Sequence, residues 1–217
     1  MEDIRLFADG DKPKRILALG AHSDDIEIGC GGTILRLAAE RSTLDVLWVV
    51  FAATPERAEE ARASAGAFLE GISSTKVVVR DHRDAFLAYS GSAMKDEFES
   101  LKREFSPDLI FTHYRDDRHQ DHRLISELTW NTWRDHFILE YEVPKYDGDF
   151  GSPNVFAALT RETLDRKIAL LLKHFRSQAS RAWFTEDLFR AVARIRGMEC
   201  NAPEGTAEGF YARKARF

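Results

Sequence analysis

The sequence predicts an α/β fold: a Rossmann-like open, mainly parallel sheet with helices on both faces, built as a single domain. Three observations predict it. Strand-like and helix-like runs alternate four times between residues 15 and 135, the pattern of parallel strands joined by right-handed crossovers. The first strand-like run is near-continuously apolar rather than alternating, which suits a strand covered on both faces. The chain has 217 residues, 44% hydrophobic and 31% charged, enough to bury one core without disulfides.

The elements follow in order. After a polar leader with Gly10 and Pro13, Arg15 to Ala21 reads as the first strand. Gly29-Cys30-Gly31-Gly32-Thr33 opens a helix that carries Ile34, Leu35, Leu37 and Ala38 on one side and ends near Arg41. Leu44 to Ala52 is the strongest strand. Pro55 starts the next helix with Thr54 as its N-cap, Ala58, Ala61, Ala65, Phe68 and Leu69 follow at helical spacing, and Gly71 stops it. Lys76 to Val79 is the third strand. Met94, Phe98, Leu101 and Phe105 mark an amphipathic helix closed by Pro107. Leu109 to Thr112 is the fourth strand, and a helix beginning close to His122 presents Leu124, Ile125, Leu128 and Thr132 on one face.

Past residue 135 the pattern loosens. A strand from Phe137 to Val143, a loop from Pro144 to Pro153, a short strand from Val155 to Leu159, a helix capped by Thr160 and a last helix from about Thr185 complete the chain. The expectation is one domain over residues 1–217 with its core at 15–135.

Composition excludes several classes. A net charge of −5 offers no clustered Lys and Arg for a phosphate backbone, so no nucleic-acid partner is expected. The one basic run, Arg213-Lys214-Ala215-Arg216, reads as a solvated terminus. Cys30 and Cys200 are too few and too far apart for a disulfide scaffold or a thiolate zinc site. There is no basic n-region ahead of an apolar h-region, and no uncharged apolar stretch approaches the ~20 residues of a membrane helix, so a cytoplasmic protein without a membrane span is expected.

Two polar clusters follow predicted strand ends, where α/β sheets build their sites. The first is His22-Ser23-Asp24-Asp25; the second runs from His113 to His122. Four of the seven histidines fall in these segments, whereas His82, His136 and His174 lie outside and read as structural or surface residues. If the two strands are central and parallel, the clusters meet. His22 and Asp25, three apart at a helix start, can share an ion, with His122 as third ligand. Two imidazoles and a carboxylate with open positions suit catalytic zinc, and the same set serves Fe(II). Asp24 would then point elsewhere and could take a proton from activated water. His119 could donate to an oxyanion or protonate a leaving amine, with Asp121 holding its ring in the right tautomer. Gly29, Gly31 and Gly32 do not complete the dinucleotide fingerprint, and Asp24, Asp25 and Glu27 ahead of them would repel a pyrophosphate. Close packing of helix on sheet explains these glycines better.

These motifs, Ala21-His22-Ser23-Asp24-Asp25 with Gly29, Gly31 and Gly32, paired with Asp117-Arg118-His119-Gln120-Asp121-His122, resemble the PIG-L (LmbE-like) family of zinc-dependent deacetylases over residues 15–135. The resemblance implies removal of acetyl from an N-acetylglucosamine-type sugar or glycoconjugate. It implies His22, Asp25 and His122 as zinc ligands, Asp24 as general base, and His119 with Asp121 beside it as stabiliser of the tetrahedral intermediate. Arg57, in an Arg-x-x-Glu with Glu60, matches an arginine that reaches toward substrate. The family commonly carries proline at Ser23 and Gln120, and a tyrosine that assists the oxyanion in some relatives has no match, since Asp117 stands two before His119. Residues 137–217 are expected to cover the substrate or to join subunits of a homo-oligomer, a trimer or hexamer. Two competing readings are a mononuclear Fe(II) oxygenase, disfavoured because its ligands usually sit on a β-barrel, and a non-enzymatic nucleotide-binding module resting on the glycines alone.

Overall fold

The computed structural model describes residues 14–40 and 43–215; the leader with Gly10 and Pro13, the expected helix end at Arg41, and Arg216 lie outside the described residues. Among the described residues, seven strands and six α-helices succeed one another as β1 (Lys14–Gly20), α1 (Asp25–Glu40), β2 (Leu44–Val50), α2 (Pro55–Phe68), β3 (Ser74–Val79), α3 (Gly91–Glu104), β4 (Leu109–His113), α4 (Gln120–Thr132), β5 (Phe137–Tyr141), β6 (Val155–Ala158), α5 (Arg161–His174), α6 (Glu186–Glu199) and β7 (Ala207–Ala212). The strands form one sheet in the order β3-β2-β1-β4-β5-β7-β6. The first five are parallel, and β7 runs antiparallel to both its neighbours. This is the expected α/β class. The winding reverses between β1 and β4, so the loops leaving their carboxyl ends diverge around a crevice.

Side chains of β1 alternate between the two faces of the sheet. Ile16 and Ala18 join Val46, Trp48 and Phe68 in a core under α1, α2 and α5, while Leu17 and Leu19 join Met94, Phe98, Ile125 and Trp133 under α3 and α4. Both faces are therefore covered, and β1 is buried from Ile16 to Gly20. Among the described residues no helix is long and apolar enough to cross a membrane.

Three expectations are corrected. The first helix begins at Asp25 rather than at the glycines, because Ile26 and Ile28 already face the core and the Ile28 N–H bonds to the Asp24 carbonyl. This places Asp25 on the first turn, where the positive end of the helix favours a carboxylate. Strand β7 was not expected, since Glu208 and Gly209 interrupt its apolar character. Glu208 is buried because it accepts the Gly32 and Thr33 N–H groups and the Lys167 ammonium. The basic run near the end is not wholly solvated: Arg213 bonds through Nε and Nη2 to Glu140, whose fully buried carboxylate requires a cation.

The glycines of α1 close the helix onto its neighbours, as expected. A Cβ on Gly29 would stand 2.0 Å from the Tyr141 ring, and one on Gly31 would stand 2.6 Å from Phe68. Tyr141 is fully buried and its hydroxyl donates to the Leu19 carbonyl at 2.7 Å, so the ring cannot swing away. Gly29→Ala is expected to destabilise the protein by about 1–3 kcal/mol or more through overpacking. Urea unfolding checks this as a lowered midpoint at unchanged slope. A glycine run filled by Tyr141 and Phe68 is no phosphate cradle, which removes the support for a nucleotide-binding module.

Candidate active site

The parallel order brings the two polar clusters together. His22 and Asp25 leave β1 into α1; His113 ends β4; His119 caps α4 and His122 lies in its first turn. His22 Nδ1 stands 3.1 Å from His122 Nε2 and 3.3 Å from Asp25 Oδ2, while Asp25 Oδ1 stands 3.5 Å from His122 Nε2. All three side chains are buried. Tetrahedral ligands about 2.0–2.1 Å from a zinc ion lie about 3.3–3.4 Å apart, close to these separations, and Asp25 approaches the two rings through different oxygens, Oδ2 toward His22 and Oδ1 toward His122.

The outer nitrogens fit as well. His122 Nδ1 lies 2.9 Å from Asp117 Oδ2; His22 Nε2 lies 3.0 Å from Asp84 Oδ1 and 3.5 Å from Asp121 Oδ2. Carboxylates on the far nitrogens are the usual supports of metal-binding imidazoles. Among the described residues, the groups whose single ligand atoms all lie within 4.8 Å of one another are His22, His119 and His122; Asp25, His113 and His122; and His22, Asp84 and Asp121, so His22, Asp25 and His122 each belong to such a group. His113 is the weaker candidate, because its Nε2 accepts the Ala21 N–H at 2.9 Å and that lone pair is already engaged. Asp84 is more than half exposed.

Electrostatics separates the members. Burial pushes the Asp25 carboxyl up, but His122, His113 and His22 around it outweigh burial and hold its pKa well below the usual carboxylate range. Burial opposes charge on His22, yet the carboxylates of Asp25, Asp121 and Asp84 hold its pKa well above that of an ordinary imidazole. Burial, helped by His113, drives His122 down to about 3, which leaves a neutral ring with a lone pair to share. Asp84 falls to about 2 through its hydrogen bond with His22.

Asp24 differs from its neighbour. It is almost fully buried, its Oδ1 accepts Arg57 Nη2 at 2.8 Å, and its Oδ2 has no hydrogen-bond partner among the described residues. Burial raises its pKa, with Arg57 pulling the other way. Arg57 thus reaches into the site, held against Asp24, while Glu60 turns aside to bond Ser177 N and Oγ. His119 is half-buried, and burial with the nearby His22 charge lowers its pKa. Its Nδ1 accepts the Asp121 backbone N–H at 3.3 Å, which leaves the proton of the neutral ring on Nε2. The tautomer is therefore fixed by the Asp121 backbone and not by its carboxylate, which accepts the Leu87 N–H at 3.1 Å and faces His22.

Sequence reasoning did not single out Asp84, Asp117, Tyr141 or Lys145. Asp84 sits in the loop beyond β3, and the rule that sites gather at the carboxyl ends of parallel strands was the one signal for it. Asp117 stands in the second motif and at the place of a missing tyrosine without a role of its own in the sequence reading, yet it accepts the His119 N–H at 2.7 Å and supports His122.

The family model described as GlcNAc-PI de-N-acetylase matches residues 17–133. A protein of Escherichia coli K12 described as the uncharacterized deacetylase YaiS is 29% identical over 183 residues, 79% of this chain and 96% of its own. Among solved structures, N,N'-diacetylchitobiose deacetylase from Pyrococcus horikoshii matches at a TM-score of 0.71 and 23% identity, over 92% of this chain and 83% of its own. The 4-carboxy-2-hydroxymuconate hydratase GalB of Pseudomonas putida matches at 0.69 and 18%, over 94% and 98%. One fold therefore carries a deacetylase and a hydratase, and the reaction has to be argued from the site.

Proposed function

This chain belongs to the PIG-L family, and on that premise we propose that it is a metal-dependent hydrolase removing acetyl from an N-acetylated amino sugar or glycoconjugate. The observation that carries the reading is the convergence of His22 Nδ1, the Asp25 carboxylate (Oδ2 toward His22, Oδ1 toward His122) and His122 Nε2, each contact no longer than 3.5 Å, with Asp24 Oδ2 on the adjoining residue left without a partner among the described residues. His22, Asp25 and His122 would hold the ion, with zinc as the reading and Fe(II) served by the same donor types. A bound zinc ion supplies Lewis acidity to the acetyl carbonyl and lowers the pKa of water.

The chain's own residues do the rest. Asp24 takes the proton of the attacking water at Oδ2, a role suited to a carboxyl whose pKa burial has raised. Neutral His119 donates its Nε2–H to the acetyl oxygen as negative charge develops there. The C–N bond breaks as Asp24 returns its proton to the departing nitrogen, giving acetate and a free amine. The segment from Glu142 to Gly151 lies against the 117–122 motif through Lys145 and Asp149, and we assign it to substrate cover.

The test is acetate release from N-acetylglucosamine and its glycosides, with one free amine expected per acetate. Turnover of an unsaturated acid without any acetate release would move the reaction to hydration and overturn the proposal.

Arg57 gives a prediction with a sign. Its guanidinium opposes the rise of the Asp24 pKa, so Arg57→Gln is expected to raise that pKa further. A base works only when deprotonated, so the acidic limb of the kcat/KM profile should move to higher pH. A raised KM with the limb unmoved would instead make Arg57 a substrate contact alone.

A further inference from the structure

We propose that Lys145 is a positioning residue for the metal site, holding back the charge that Asp117 lends to His122 and so keeping the ion less tightly bound. The inference rests on the assignment of His122 as a ligand. One carboxylate oxygen is shared: Asp117 Oδ2 lies 2.9 Å from His122 Nδ1 and 2.9 Å from Lys145 Nζ. Asp117 is almost fully buried, so neither contact is screened by water. Its other oxygen accepts the His119 N–H, and its carbonyl accepts Arg123 Nη1 at 3.1 Å.

A carboxylate on the far nitrogen of a metal-bound imidazole makes that ring a stronger donor. An ammonium on the same oxygen withdraws part of that effect and sets a positive charge behind the ligand, facing a divalent cation. Lys145 itself is divided. Its Nζ also meets both oxygens of Asp149, at 2.8 and 2.6 Å, and Asp149 Oδ2 accepts the Arg118 N–H at 2.7 Å. The charge reaching Asp117 is thus set by how far Asp149 neutralises Lys145, which ties the segment over the site to the strength of the ligand beneath it. A plain structural strap would use the same contacts but predicts the opposite sign, since cutting it would loosen His122 and weaken the metal.

The experiment titrates metal-stripped protein with zinc in competition with a chromophoric chelator. Lys145→Met is expected to bind zinc about tenfold more tightly, at the low end of the range for supporting residues of metal ligands. Asp149→Asn, which keeps an acceptor for the Arg118 N–H but frees Lys145 to act on Asp117, is expected to bind several-fold more weakly. Lys145→Arg should restore wild-type affinity. Unchanged or weaker binding in Lys145→Met overturns the proposal while leaving the metal site standing. Failure of the wild-type protein to take up zinc overturns the ligand assignment itself, and the proposal with it.

Discussion

Asp24→Asn is expected to keep its metal and its fold while losing turnover by about 10²–10⁴-fold, the usual worth of a positioned general base. The substitution preserves shape. With Arg57 Nη2 donating to Oδ1, the Asn amide carbonyl takes that bond and the NH2 group falls where Oδ2 stood, so a donor replaces the proton acceptor. Metal should be retained because neither Asp24 oxygen is among the converging ligand atoms. Stability follows from the direction of the pKa shift. A carboxyl whose folded pKa is raised above its unfolded value costs stability at any pH where it is ionised, and the neutral amide removes that cost. The unfolding midpoint at neutral pH should therefore hold or rise, which separates lost chemistry from lost folding. Acetate release, metal content and urea unfolding on one preparation check all three. Wild-type turnover in this variant would transfer the base role away from Asp24.

Much of this site was legible because its residues sit beside strand ends that announce themselves. The apolar runs of β1 and β4, each followed by a His and Asp cluster, put His22, Asp25 and His122 on one sheet edge once the central strands are parallel. Helix caps were equally readable: Thr54 and Thr160, expected as caps, each accept the N–H three residues on, and Thr185, expected only near a helix start, does the same. What the sequence hid were contacts between distant, unpatterned segments. Lys145 reaches Asp117 from a loop 28 residues away, and Asp84 meets His22 from the loop after β3. Neither loop has a period to follow. Strand β7 was hidden differently, since a buried Glu208 held by Lys167 and two α1 N–H groups looks polar in one dimension and is core in three. The carboxylate of Asp121 shows the limit of adjacency, because its nearest imidazole in space is His22 and not the neighbouring His119.

Asp25→Ala is expected to abolish metal binding, taking zinc from about one ion per chain, the stoichiometry of a single catalytic site, to about none, with turnover lost alongside. Asp25 is the one carboxylate in the converging triplet, and its Oδ2 also accepts the His22 N–H at 2.6 Å, so it both charges the site and orients the ring. Its removal leaves two imidazoles to hold a divalent cation in a buried pocket. A proton count makes the test independent of activity. In the metal-free protein, Asp25, Asp121 and Asp84 hold the His22 pKa well above its ordinary value despite burial, so the ring keeps its proton to higher pH than an ordinary imidazole. Metal must displace that proton, and zinc uptake by wild-type protein in weak buffer should release about one proton per ion. As pH falls further below the His22 pKa, affinity should weaken, because the proton competes for the same nitrogen. Asp25→Ala should show neither uptake nor release. Elemental analysis of protein purified without chelators reads the first quantity directly: iron in the wild type would return the Fe(II) reading to consideration, and full zinc in Asp25→Ala would overturn the ligand assignment, because no site built on His22, Asp25 and His122 survives the loss of its only anion.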